Sequence, residues 1–74
     1  ADEMAEFMFL GLRMTEGVSM EAFAEYFGKN MESIYGEVLK KHFALGMLKK
    51  KNDRIFLTRR GIHVSNGVMA DFLL

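Results

Sequence analysis

A mostly α (α+β) domain of four helices and one β-hairpin is predicted by three observations. Apolar residues recur at helical spacing through most of the chain. One short basic stretch, residues 47–51 and 54–58, alternates like two paired strands around Asn52-Asp53. Half of the 74 residues are apolar and none is proline, which is the composition of a folded chain.

The elements follow in order. The first helix covers roughly Asp2 to Leu12, with acids in its first turn where the helix dipole favours them. Thr15-Glu16-Gly17 reads as a turn. Ser19 is a good N-cap for a second helix, in which Met20, Phe23, Ala24 and Phe27 recur at helical spacing and which Gly28 stops. Asn30 can cap a third helix running to about Ala44, with Gly46 ending it. After the hairpin, Thr58 caps a fourth helix that runs to the end of the chain. Helix, helix, helix, hairpin, helix is a winged-helix-like order, with a two- or three-stranded wing. The third strand would come from Gly17-Val18-Ser19.

The length predicts a single domain over residues 1–74 with a core that is only marginally stable alone. Absence of cysteine excludes disulfides, thiolate metal sites and iron–sulfur ligation within these residues. No apolar run is long enough to span a bilayer and no secretory signal pattern is present, so a cytoplasmic location is the default expectation. The net charge is zero but unevenly spread. Residues 1–37 carry eight acids against Arg13 and Lys29, and residues 38–74 carry eight bases against Asp53 and Asp71. That asymmetry either marks a binding face or is paired within the fold and solvated.

A winged helix raises the question of DNA. On the third helix, Met31, Ile34, Tyr35, Val38, Leu39 and Leu45 share the core arc. The opposite face offers Ser33, Gly36, Glu37, Lys40 and Ala44, with Lys41 at its edge. Reading base edges wants Arg, Asn, Gln or Lys that reach the groove, whereas Glu37 repels phosphate and is placed to pair with Lys40 or Lys41. A nucleic-acid-binding winged helix is therefore the alternative reading, as is a pure protein-interaction module, and no specific nucleic acid is expected.

Individual residues give further expectations. His42 sits in the apolar arc of the third helix: either a half-buried histidine bonded to a backbone carbonyl, or a ligand or proton-transfer residue. His63 should face solvent, opposite Ile62, Met69 and Leu73, and the two histidines lack the acids or thiols of a metal site. Met4, Met8, Met14, Met20, Met31 and Met69 read as flexible core filling. The first helix is apolar nearly all round. Met4, Phe7, Met8, Gly11 and Leu12 make one face, while Phe9 and Leu10 fall near the arc of Asp2, Glu3, Glu6 and Arg13. Phe9 and Leu10 are thus the candidate interdomain face, meeting another domain or a second copy, unless they are simply tolerated at the surface.

The ordered set Glu6-Phe7-Met8 through Leu12-Arg13, Gly17-Val18, Phe27-Gly28, Gly46, Leu57-Thr58, Gly61, Ser65-Asn66 and Phe72-Leu73 resembles the C-terminal domain of the oxygen-independent coproporphyrinogen III oxidase family, radical SAM proteins of the HemN and HemW type. The resemblance covers almost the whole chain. No single element of it is specific, but the ordered set is. Two positions depart from it: Arg59 stands where proline is common, and His42 where an aliphatic residue is usual. Proline suits a first helical position, so the loss at Arg59 concerns helix entry and not chemistry.

The resemblance implies an accessory domain in the heme biosynthesis or heme delivery setting. Its partner would be the N-terminal radical SAM barrel of its own chain, which in the family binds a 4Fe–4S cluster and S-adenosylmethionine. Oxidase members decarboxylate two propionates of coproporphyrinogen III, and HemW-like members bind and deliver heme. For these residues it implies no enzymatic activity, no catalytic or metal-binding residue and no cofactor, with porphyrin or heme met only indirectly. Arg13 is then the candidate contact for a propionate or other anion, against a salt bridge to an acid of the first or second helix. His42 is the alternative heme or porphyrin contact.

Overall fold

The computed structural model describes residues 2–73. The chain runs α1 (Asp2–Arg13), β1 (Val18–Ser19), α2 (Met20–Phe27), α3 (Met31–Ala44), β2 (Leu48–Lys51), β3 (Arg54–Leu57), α4 (Arg59–His63) and α5 (Ser65–Ala70). The α+β class and the winged-helix order are as the sequence predicts. The wing has its third strand: the sheet order is β1-β3-β2, antiparallel throughout, with Val18 opposite Ile55 and Leu48 opposite Leu57.

Local chemistry explains most boundaries. The Ser19 hydroxyl accepts from the Ala22 amide at 3.0 Å, starting α2, and Gly28 ends it at φ 68°, in the left-handed region that glycine enters without strain. Asn52 takes φ 56° at the tip of the hairpin, a conformation asparagine tolerates better than most residues. Next to it, the Asp53 carboxylate accepts from the Ser19 hydroxyl at 2.6 Å and the Glu21 amide at 3.1 Å, so the tip of the wing is tied to the start of α2. Those two bonds hold the Asp53 carboxyl below its usual range, the Ser19 bond foremost. Asn30 stands at the N-cap of α3, but its side chain makes no cap bond; its backbone carbonyl accepts from Ser33 instead.

Four predicted helices become five. At Val64 the backbone leaves the helix at φ −120°, ψ 32°, and the last segment restarts as α5. Past this break Val68, Met69 and Phe72 are buried, Phe72 against Tyr35 of α3, while Ile62 and Leu73 are left in solvent. Met69 is core as expected, whereas Ile62 and Leu73, expected on the same side, are exposed, because a continuous helix would be needed to align them. His63 is exposed, as expected.

The core runs from Met8 and Leu12 of α1 through Phe23, Met31, Tyr35 and Leu39 to Leu48, Ile55 and Phe72. Aromatic edges link its layers: Phe7 and Phe23 lie 5.6 Å apart, Phe23 and Tyr35 6.2 Å, and Tyr35 and Phe72 5.0 Å. The Tyr35 hydroxyl is buried with no partner among the described residues, and burial raises its pKa above the ordinary tyrosine value. The backbone of α3 departs from helical geometry at Tyr35, φ −117°, ψ 17°. Of the arc assigned to its core face, Met31, Tyr35 and Leu39 are buried, Ile34 and Val38 half-buried, and Leu45, beyond the helix end, exposed. Met14, likewise past the end of α1, is exposed rather than core.

Two glycines are required by close approach. A Cβ on Gly11 would lie 2.8 Å from the Cβ of Val18, so glycine lets α1 lie directly on β1. A Cβ on Gly61 would collide with the Met47 carbonyl oxygen, so glycine lets α4 close onto the segment entering the hairpin.

Candidate functional site

Arg13 and His42, singled out above for anion or porphyrin contact, lie at two separate places in the fold. The first is a cleft of about 460 Å³ between the end of α1, the outer face of the wing and the start of the C-terminal helices. Leu12, Phe56, Leu57 and Met69 make its apolar wall, and Met14 and Ile62 stand at its edge, 61% and 62% exposed. Its charged groups are Arg13 and Lys49, and among the described residues no carboxylate lines it. The Lys49 ammonium lies 5.1 Å from the Phe56 ring centroid, a cation–π contact that holds it over the apolar wall.

The structure places the predicted interdomain residues differently from one another. Leu10 is 57% exposed, as the sequence implies. Phe9 is half-buried and packs against the core cluster, which corrects its outward placement. The reason is that α1 packs on the sheet and, through Phe7, on α2 at once, so its buried arc is wider than one stripe. Arg13 is exposed on the cleft wall and makes no ion pair among the described residues, which corrects the expected salt bridge to an acid of α1 or α2.

The second place is the junction of α3 with the chain end. His42 is buried, 4% exposed. Its Nε2 lies 2.8 Å from Asp71 Oδ2, and Lys41 Nζ lies 2.9 Å from the same oxygen. A carboxylate only accepts, so Nε2 carries the proton, and Nδ1 is buried with no partner among the described residues. The expected backbone-carbonyl partner of His42 is thus replaced by a side-chain carboxylate twenty-nine residues away in the fold's closing turn. Lys41 and then His42 hold the Asp71 carboxyl below its usual range. The anticipated pairing of Glu37 with Lys40 or Lys41 is not formed; Lys41 reaches Asp71 instead.

This second cluster is structural in form: it fastens the end of the chain to α3. Among the described residues no group of three or more His, Asp or Glu is placed to hold a metal ion. The outer side of α3, where a DNA reader would place its contacts, carries Glu32, Ser33, Gly36, Glu37 and Lys40 around an open depression.

Residues 1–64 match the HemN C-terminal domain family. The chain belongs to that family. It is 36% identical over 72 residues to the heme chaperone HemW of Bacillus subtilis (strain 168), and 36% identical over 72 residues to the heme chaperone HemW of Lactococcus lactis subsp. lactis (strain IL1403). Each alignment spans 97% of this chain but 19% of the relative, so the chain covers about a fifth of the length of the curated relatives it matches. No solved structure matches. No helix among the described residues is long and apolar enough to cross a membrane.

Met14, Lys49, Ile62 and Asp71 belong to these two places and escape sequence reasoning. Lys49 read only as one of several hairpin bases, and Met14 and Ile62 as core. Asp71 offered no signal, because its partners are brought to it by the break at Val64.

Proposed function

We propose that this domain is the non-enzymatic C-terminal accessory domain of a HemW-type heme-handling protein of the cytoplasm. In this reading it packs on the N-terminal radical SAM barrel of the same polypeptide and helps shape or cover the porphyrin site. The parent polypeptide would supply the 4Fe–4S cluster and S-adenosylmethionine through residues outside this chain, which has no cysteine of its own. The observation that carries the reading is the identity of 36% to two heme chaperones over 97% of this chain. It favours heme delivery over coproporphyrinogen oxidation as the parent's task. Arg13, exposed beside an apolar wall, is the residue suited to an anionic propionate. His42 is not available as a heme ligand in this fold, because its Nε2 is engaged by Asp71 and its Nδ1 is buried.

The test uses the full polypeptide that carries this domain. Heme is titrated in and followed by absorbance, its transfer to an acceptor apoprotein is measured, and coproporphyrinogen III is supplied in a parallel assay. Binding and transfer of heme without release of carbon dioxide is the expected result. Decarboxylation without heme binding would assign the parent to the oxidases.

A further inference from the structure

Met14, just past the end of α1, shares its cleft with Ile62 of α4. Both are more than half exposed. Single exposed apolar residues are ordinary on a folded surface, but a cluster around a concave apolar wall marks a surface that another one covers. The charged groups beside it are both cationic, Arg13 and Lys49, with no carboxylate among the described lining residues. A complementary surface is therefore apolar at its centre and carries carboxylates at its edge.

The size of the patch selects the kind of partner. A stable association of free molecules buries on the order of 1,000 Å² or more, which two exposed side chains and one small cleft do not supply. A covalently tethered partner needs far less, because the tether holds it at an effective concentration of about millimolar. The aligned part is 19% of the length of each HemW relative, so those polypeptides carry most of their sequence elsewhere. We infer that the cleft edged by Met14 and Ile62, with Arg13 and Lys49 at its rim, seats an acid-edged apolar surface on the rest of the same polypeptide. This inference rests on the reading of the chain as part of a HemW-type protein.

Hydrogen exchange followed by mass spectrometry on the full polypeptide tests it. The wild type is compared with Ile62→Asp, with Arg13→Glu, and with Lys40→Glu on the far side of α3 as the control. In the first two variants, amides of residues 10–16 and 59–65 are expected to exchange roughly tenfold faster, the scale of losing one anchor of a small interface. Exchange in α2, which does not line the cleft, should stay unchanged, as should the control throughout. Arg13→Glu alters charge without removing apolar contact, so it decides the matter if Ile62→Asp perturbs the domain itself. Unchanged exchange in both variants overturns the inference, and so does protection that depends on protein concentration, which would assign the face to a second copy. A gene product with no further domain would instead overturn the functional reading above.

Discussion

Asp71 Oδ2 lies 2.8 Å from His42 Nε2, joining the last turn of the chain to the middle of the fold. Lys41 bonds the same oxygen, and Phe72, the next residue, is fully buried against Tyr35. Packing and ion pairing therefore hold the chain end together, on adjacent residues.

Acid should loosen this arrangement. Asp71 and Asp53 both have carboxyl pKa values lowered in the fold, so each favours the folded state most above the unfolded value of about 3.9. That contribution is lost as the pH falls through the folded values. Urea unfolding midpoints should fall on acidification below about pH 4, and Asp53→Asn with Asp71→Asn should flatten the fall. A double variant with the same acid limb as the wild type would show that neither pair matters.

Neighbours on α1 should behave unlike each other. Phe9→Ser removes a half-buried ring from the flank of the core and should destabilise the domain by about 2 kcal/mol, below the ~3–5 kcal/mol of a fully buried Phe. Leu10→Ser, at an exposed position, should stay within about 0.5 kcal/mol. Chemical denaturation of the two variants checks the contrast, and equal losses would place both residues on one side of the helix.

Glycine substitutions should split by environment. Gly61→Ala drives a methyl into the Met47 carbonyl and should cost about 2 kcal/mol or more through strain between α4 and the hairpin. Gly36→Ala meets nothing within 4 Å on α3 and should be neutral or stabilising by up to about 1 kcal/mol. Thermal unfolding of both variants gives the comparison.

The basic half should attract polyanions without reading sequence. Lys49, Lys50, Lys51 and Arg54 lie on the exposed part of the wing, and Arg59 and Arg60 are exposed at the start of α4. Such groups give weak, salt-sensitive attraction, while Glu32 and Glu37 stand on the outer side of α3. Anisotropy measured over random duplexes should show no sequence bound about a thousandfold above the rest, the margin of a specific reader. Such a preference would restore the nucleic-acid reading.

Much of this architecture is written in short-range chemistry. Ser19, Thr58 and Gly28 act through bonds or torsions within a few residues, so the boundaries of α2 and the start of α4 follow from the sequence alone. The hairpin is equally local, since Asn52 needs only its own torsion and alternation needs only a period of two. The family, too, is legible in an ordered set of residues along the chain.

Tertiary structure decided what depends on the direction in which one element approaches another. No local residue type announces the break at Val64; burial of Val68, and of Phe72 against Tyr35, accompanies it, and with it come the Asp71–His42 bond and the exposure of Ile62. Phe9 is half-buried because α1 packs on the sheet and α2 together, a width that one helical period cannot reveal. The cleft joins Arg13, Lys49 and Ile62 from three distant parts of the chain. Periodicity places a residue on a face of its own element, and only the packing of elements determines what that face meets.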